Sequence, residues 1–246
     1  MKAEQDCIYE LEATVSFLNQ HHQLKPYAYQ ILFEQMLERH LADFHTNVDS
    51  TLKHGLAWVM ISMSVEILTP IQECMQLYGS TWYSGRRGPY FRRELLLKNK
   101  DGQVMFQGSS HSVLLDLEKR TVFRMKEVPF IMMKPHESFL LEASPNFKTG
   151  VMFEPVEKRI VKHSHIDCLG HVNNCRYGEF AYDAFNAEEL NHLNGLKRMD
   201  IYFNSELRDG DVFTMEKAYA KNQILFRGYN NTKDDVSFNI VMDFSV

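Results

Sequence analysis

The fold is decided by residues 163–185, HSHIDCLGHVNNCRYGEFAYDAF, in which a polar turn leads into a helix. From residue 173 to residue 185 apolar side chains recur at three- and four-residue intervals, as on one face of an amphipathic helix. These side chains are Tyr177, Phe180, Ala181, Ala184 and Phe185. A strand is predicted before the helix, at residues 159–165, and four more after it, at 199–206, 212–220, 224–229 and 236–244.

The first half of the chain repeats this order. A strand at residues 8–17 precedes a helix at 27–44, where Pro26 suits the first turn. Further strands are predicted at residues 58–67, 75–83, 91–97 and 104–116. A long helix must bury its apolar stripe against its own sheet. We therefore predict an α+β protein of two tandem hotdog units, each a long helix wrapped by a curved antiparallel sheet. Two unrelated α+β domains are the alternative.

The repeat predicts an N-terminal unit at residues 1–126, a linker at 127–155 and a C-terminal unit at 156–246. The linker carries four prolines and little periodicity. In the first unit the loop before the helix, residues 19–26, has neither a carboxylate nor a Gly-His pair. We expect the first unit to be non-catalytic and to supply an interface and the walls of an acyl pocket.

Composition narrows the class of protein. The 246 residues are 44% hydrophobic and 24% charged, which is typical of a globular chain. The net charge of −5 gives no reason to propose nucleic acid as a partner. Apolar runs stay far below the roughly 20 residues that cross a bilayer, and the first residues, beginning Met1-Lys2-Ala3, carry no secretory signal. We expect a cytoplasmic protein without a membrane partner, and free thiols at its four cysteines.

The chemistry is expected in the turn before the second helix. Asp167 and His171 flank this turn, so a carboxylate and an imidazole can meet a water molecule or a substrate. Gly170 allows the turn to be tight. Backbone N–H groups at the helix start, around Gly170, Val172 and Asn173, can bind a carbonyl oxygen that becomes negative. The alternative is purely structural, because Asp and Asn are ordinary turn and N-cap residues.

The run Asp167-x-x-Gly170-His171-Val172-Asn173-Asn174-x-x-Tyr177 resembles the signature of hotdog thioesterases. Nearly end to end, the chain resembles the acyl-ACP (acyl carrier protein) thioesterases of plants and bacteria, which carry two hotdog units. Residues 203–206, Phe-Asn-Ser-Glu, resemble the strand that brings in a catalytic glutamate. The resemblance thus implies Asp167, His171 and Glu206 as the catalytic set.

The resemblance also implies the reaction. A water activated by carboxylate and histidine would release a free fatty acid from acyl-ACP, without a cofactor and without a metal. Acyl-CoA is an open alternative as substrate, and a homodimer is left open. The basic residues of the first unit are a candidate patch for an acidic carrier protein: Arg86, Arg87, Arg92, Arg93 and Lys98. One departure from the family is Leu169, where the family has Asn. It keeps a degenerate, non-catalytic acyl-thioester-binding protein as an alternative.

Three other mechanisms compete with this one. On a strand, His163, His165 and Asp167 would face one side and with His171 could ligate a metal, as in a metallohydrolase. Against this, Cys168 stands where the usual metal motif has a histidine. A cysteine nucleophile, Cys168 or Cys175, is disfavoured because nearby carboxylates raise a thiol pKa. A hotdog dehydratase would use a similar helix mouth, but the Gly-His-Val-Asn-Asn run favours hydrolysis.

Overall fold

The computed structural model describes residues 6–245, so the first five residues of the predicted N-terminal unit lie outside the described part. Each half of the chain contains one long helix and an antiparallel set of strands, which confirms the α+β class. The first half consists of β1 (Tyr9–Ala13), α1 (Pro26–Asp43), α2 (Val48–Leu52), β2 (Leu56–Ile67), β3 (Met75–Arg87), β4 (Tyr90–Lys98), β5 (Val104–Asp116) and β6 (Thr121–Val122). The second half consists of β7 (Glu154–Ile160), α3 (Asn174–Asp183), α4 (Ala187–Asn191), β8 (Leu196–Phe203), β9 (Val212–Ala220), β10 (Gln223–Asn230) and β11 (Asp235–Phe244).

Two strand boundaries differ from prediction at places that matter for the site. The strand predicted at residues 159–165 ends at Ile160, and the last backbone contact to the neighbouring chain segment is the Val161 N–H, which donates to the Asp211 carbonyl at 2.9 Å. A 3-10 turn, His163–His165, follows. The strand predicted at residues 199–206 ends at Phe203, so Glu206 lies in the following loop.

All the strands belong to one antiparallel sheet. Its order is β1-β3-β4-β5-β2-β8-β11-β10-β9-β7, with β6 paired to β5. The halves meet where β2 pairs with β8, from Ser62 opposite Tyr202 to Glu66 opposite Arg198. Continuous backbone hydrogen bonding across this seam leaves no strand edge between the two units. The seam therefore fixes the position of one unit against the other.

Helices α1 and α3 pack against each other on the same side of the sheet. Leu32 and Phe33 of α1 and Phe180 of α3 belong to one buried core with the strand residues beneath them. The helices approach closely at Gly178, where an added Cβ would lie 1.9 Å from Gln30 Oε1 and 3.2 Å from Tyr27 Cβ. The absence of a side chain at Gly178 lets the two helices touch there.

The predicted linker runs over the opposite face of the sheet. Arg92 and Glu94 of β4 point away from the helices, because Leu95 lies in the core and side chains alternate along a strand. Arg92 donates to the Leu141 carbonyl at 2.6 Å, and Glu94 accepts the Leu140 N–H at 3.3 Å. These bonds hold the linker on the first unit before it passes to the second.

Gly228 of β10 provides a test of the core. A methyl group there would lie 2.0 Å from a ring carbon of Phe238, a fully buried residue on the neighbouring strand. We expect Gly228→Ala to lower the free energy of unfolding by about 1–3 kcal/mol, since overpacking a filled core forces side chains off their rotamers. Chemical denaturation measures this loss. Gly150→Ala, at an exposed site with no atom within 4 Å, is the matched control and should be neutral. Equal stability of both variants would contradict this packing.

Candidate active site

The turn between β7 and α3 is closed by backbone hydrogen bonds. Ile166 and Val172 form an isolated antiparallel bridge. Inside it, the Asp167 N–H donates to the His171 carbonyl at 3.0 Å and the Gly170 N–H donates to the Asp167 carbonyl at 3.1 Å. Gly170 has a φ of +82°, a conformation that glycine adopts at no steric cost. The turn therefore brings residues 167 and 171 together.

Asp167 and His171 meet at the mouth of this turn. Asp167 Oδ2 lies 3.7 Å from His171 Nδ1, and the two side chains are 21% and 29% exposed. The other oxygen of Asp167 accepts the Leu169 N–H at 2.8 Å, which fixes the carboxylate. The pair is oriented and still reachable by water. Leu169, at the position of the family's Asn, is 51% exposed at the tip of the turn.

The predicted carbonyl-binding N–H groups are mostly engaged within the chain. Those of Gly170, Val172 and Asn173 donate to the carbonyls of Asp167, Leu207 and His165. Within residues 6–245, the N–H of His171 donates to no acceptor. In the stretch from Gly170 to Val172, the His171 N–H is therefore the donor that remains available to a carbonyl oxygen.

Glu206 reaches the turn through its backbone. Its neighbour Leu207 accepts the Val172 N–H at 2.8 Å, so the loop after β8 lies directly against the start of α3. The Glu206 carboxylate, 42% exposed, is held by Arg208 through Nε at 2.8 Å. In the described chain it forms no hydrogen bond or ion pair with Asp167 or His171. The structure thus unites two of the three predicted catalytic side chains and places the third at the edge.

The first unit contains the same turn with different side chains. Leu18 and Leu24 form the matching bridge, and the Asn19 N–H donates to the Gln23 carbonyl at 2.9 Å. Asn19 Oδ1 accepts the His21 N–H at 2.8 Å, as Asp167 accepts that of Leu169. Asn19 thus stands at the position of Asp167, and Gln23 at that of His171. The turn geometry is duplicated, whereas the acid and the imidazole are present only in the second unit.

Sequence reasoning missed Glu34 of α1, a residue of the first unit. Its carboxylate accepts two hydrogen bonds. One comes from the Cys175 thiol, with 2.7 Å between Oε2 and Sγ, and the other from the Asn173 side-chain amide at 3.4 Å. Burial raises the pKa of Glu34, and the charges of Glu38 and Asp167 act in the same direction. The only sequence signal that could have pointed to Glu34 is that two polar residues, Gln30 and Glu34, lie one helical turn apart beside the apolar stripe of α1.

The thiol of Cys175 is unsuited to nucleophilic attack. Burial first, and then the charge of Glu34, raise the pKa of this thiol well above its ordinary value. The thiolate is the reactive form, so a raised pKa suppresses reactivity. Cys168 is exposed on the turn itself.

The arrangement of histidines that the metal-binding alternative requires is not observed. His163 and His165 lie on the 3-10 turn rather than on a strand, so the predicted shared face with Asp167 is wrong. The His163 ring pairs with Asp209 at 3.0 Å, and the His165 ring packs on Phe180 with 5.0 Å between centroids. Within residues 6–245, no three His, Cys, Asp or Glu side chains are grouped to hold a metal ion.

The basic patch proposed for the first unit is largely used inside the molecule. Arg86 donates to the carbonyls of Gly88 and Met125, both at 2.8 Å. Arg92 pairs with the buried Glu94 at 2.6 Å, and Arg93 is itself buried. Three of the five residues of this predicted patch are therefore engaged within the molecule, and Arg92 contacts the linker. No helix in residues 6–245 is long and apolar enough to span a lipid bilayer.

Solved structures share this fold along the whole chain. An acyl-ACP thioesterase from Bacteroides thetaiotaomicron VPI-5482 aligns with a TM-score of 0.79 at 18% identity over 97% of each chain. A 12:0-ACP thioesterase from Umbellularia californica aligns with a TM-score of 0.74 at 11% identity, also over 97% of each chain. A MaoC-like dehydratase from Phytophthora capsici aligns less well, with a TM-score of 0.51 at 14% identity over 76% of this chain and 69% of that one. The predicted double hotdog fold is confirmed.

Fold alone does not separate a thioesterase from a dehydratase. The family models do: the acyl-ACP thioesterase N-terminal domain matches residues 14–129, and the acyl-ACP thioesterase C-terminal domain matches residues 154–245. None of the curated protein sequences matches the chain. The chain belongs to the acyl-ACP thioesterase family and is a thioester hydrolase.

The cysteines test the electrostatics of the site. We expect iodoacetamide at neutral pH to alkylate the exposed Cys74 and Cys168 at least about tenfold faster than Cys175, because the Cys175 thiol is buried and its pKa is raised. Mass spectrometry of digested protein gives the rate at each cysteine. In unfolded protein the rates should become equal, which is the control. Comparable native rates at Cys74 and Cys175 would contradict the burial and the contact with Glu34.

Proposed function

We propose that the protein hydrolyses acyl-ACP, with acyl-CoA as an open alternative, and releases a free fatty acid. The observation that carries the proposal is the turn of the second unit, where Asp167 and His171 lie 3.7 Å apart beside the available His171 N–H. The matching turn of the first unit has Asn19 and Gln23 at these two positions. One catalytic site in the second unit is the arrangement that these differences support.

In the proposed reaction the thioester carbonyl lies against the His171 N–H, which stabilises the negative charge that forms on oxygen. A water molecule attacks the carbonyl carbon after a carboxylate takes its proton. The tetrahedral intermediate then expels the thiolate of the carrier's prosthetic group, which leaves as the thiol when the carboxylic acid formed in the first step returns its proton. Asp167 and His171 orient the water and the thioester.

Glu206 is the proposed proton acceptor, and from its place in the loop its side chain must move to reach the water. Its backbone is anchored against the turn through Leu207 and by Lys233 Nζ, which donates to the Glu206 carbonyl at 2.6 Å. Its carboxylate must leave Arg208 to reach the water. Because the pair is exposed, separation costs no more than about 1 kcal/mol.

A panel of thioesters tests the activity. We expect the purified protein to release free thiol from medium- or long-chain acyl-ACP, and treatment with a chelator should leave the rate unchanged, since the proposed reaction uses only side chains and water. Thiol release is measured for acyl-ACP and acyl-CoA across chain lengths. Binding of acyl thioesters without turnover would move the assignment to a non-catalytic binding protein. A rate lost with chelator and restored by zinc would establish the metallohydrolase.

Substitutions test the roles within the site. We expect Asp167→Asn, His171→Ala and Glu206→Gln each to lower kcat/KM by about 10²- to 10⁴-fold, the usual loss when a general base or its orienting partner is removed. Gln23→Ala, at the matching position of the first unit, and His21→Ala are the controls and should retain the rate. Near-native turnover in both His171→Ala and Glu206→Gln would show that the chemistry lies elsewhere.

A further inference from the structure

The internal repeat gives Glu34 a counterpart in the second unit, Tyr182, with which it can be compared. The turn at Asn19 matches the turn at Asp167, and Glu34 lies as far beyond Asn19 as Tyr182 lies beyond Asp167. Each of these two residues reaches across the helix pair to the start of the other helix. Tyr182 contacts the ring of Tyr27, whereas Glu34 contacts Cys175, the counterpart of Tyr27.

The two contacts share their position and differ in chemistry. On the side of the first-unit turn the contact is aromatic, with 5.8 Å between the Tyr27 and Tyr182 centroids. On the side of the Asp167 turn the Glu34 carboxylate accepts hydrogen bonds from the Cys175 thiol and the Asn173 amide. Packing alone does not require this carboxylate, since aromatic rings fill the equivalent space. A partly buried carboxylate also carries a desolvation cost, so its presence beside the Asp167 turn needs a separate reason.

The hydrogen bonds of Asn173 connect Glu34 to the reaction site. Asn173 Nδ2 donates to Glu34, and the Oδ1 of the same amide accepts the Cys175 N–H at 2.9 Å as the N-cap of α3. An amide has one donating and one accepting end, so a carboxylate at Glu34 selects the orientation that caps the helix. The backbone of Asn173 is also tied to the segment before the turn, because its N–H donates to the His165 carbonyl at 2.9 Å.

The geometry points to Glu34 as a positioning residue of the hydrolytic site: the first unit supplies the carboxylate that fixes Asn173, and with it the start of α3, beside Asp167 and His171. This inference rests on the proposed thioester hydrolysis and deepens it, because the site is then assembled from both units. Glu34 acts through Asn173 and Cys175 and takes no part in bond making.

The decisive variant is Glu34→Gln, which keeps the length of the side chain. The Asn173 amide donates to one carboxylate oxygen of Glu34 and the Cys175 thiol to the other. In glutamine an NH2 group replaces one of these oxygens, so one of the two donors would face another donor. We expect kcat on acyl-ACP to fall about 10- to 100-fold, the size expected when a hydrogen bond to a charged group is lost. KM should stay within about twofold, because the binding surface is untouched. Glu38→Gln, one turn further along α1 and exposed, is the matched control and should retain kcat.

The pH profile provides a readout that a merely structural role would not move. The ionisable groups around Glu34 are Glu38 on its own helix, Asp167 on the turn and Cys175 on α3. The pKa of Glu34 is raised, so the wild-type rate should fall with decreasing pH while an ordinary glutamate is still ionised. In Glu34→Gln the part of the acid limb that belongs to Glu34 should disappear. In Glu38→Gln it should persist and move to lower pH by a small amount, because the charge of Glu38 contributes to the raised pKa of Glu34.

Hydrogen exchange at residues 174–178 separates failure of this inference from failure of the proposed function. Exchange should become faster in Glu34→Gln and stay unchanged in Glu38→Gln, whether or not the protein turns over a thioester. If exchange is faster in Glu34→Gln but the wild-type protein hydrolyses no thioester, Glu34 still holds the start of α3 and the proposed function is wrong. Unchanged kcat in Glu34→Gln, with an active wild type, would overturn the catalytic positioning role even if exchange increases.

Discussion

The pairing of β2 with β8 is the interaction on which the rest of the structure depends. It joins two sheets into one, and the antiparallel register from Ser62 opposite Tyr202 to Glu66 opposite Arg198 fixes their relative position. Backbone hydrogen bonds are directional, so this seam also determines where the two helices on the sheet meet. The contact between Gln30 and Gly178, and the reach of Glu34 to Cys175, follow from that placement.

Duplication of the unit explains why one chain holds two turns of the same geometry and one acid–imidazole pair. The turn requires its backbone bonds and a residue with positive φ, supplied by His22 in the first unit and by Gly170 in the second. These requirements do not include an acid or an imidazole. The first-unit turn therefore keeps its shape with Asn19 and Gln23, while helix α1 of the same unit contacts the start of α3 through Glu34.

Each carboxylate around the site has a hydrogen-bond donor. Glu206 is paired with Arg208, and the partly buried Glu34 accepts a hydrogen bond from Cys175 of α3. Asp167 is held by the Leu169 N–H. Three carboxylates thus lie near one helix start, each with its own donor, and burial together with the neighbouring charges of Glu38 and Asp167 still raises the pKa of Glu34. The positive end of the α3 dipole stabilises negative charge at the same place.

The sequence by itself determined the local elements and the repeat. Apolar periodicity gave both long helices, and strands β5 and β9 have the predicted boundaries, because periodicity reflects which face of an element is buried. The motif from Asp167 to Asn173 gave the turn and the family. Tertiary structure decided what depends on residues far apart in the chain. Only the folded chain shows that the N–H groups of Val172 and Asn173 are engaged, that Glu206 lies in a loop and pairs with Arg208, and that Arg92 of the first unit holds the linker. Glu34 belongs to the same group, since 141 residues separate it from Cys175 and only the packing of α1 on α3 brings the two side chains into contact.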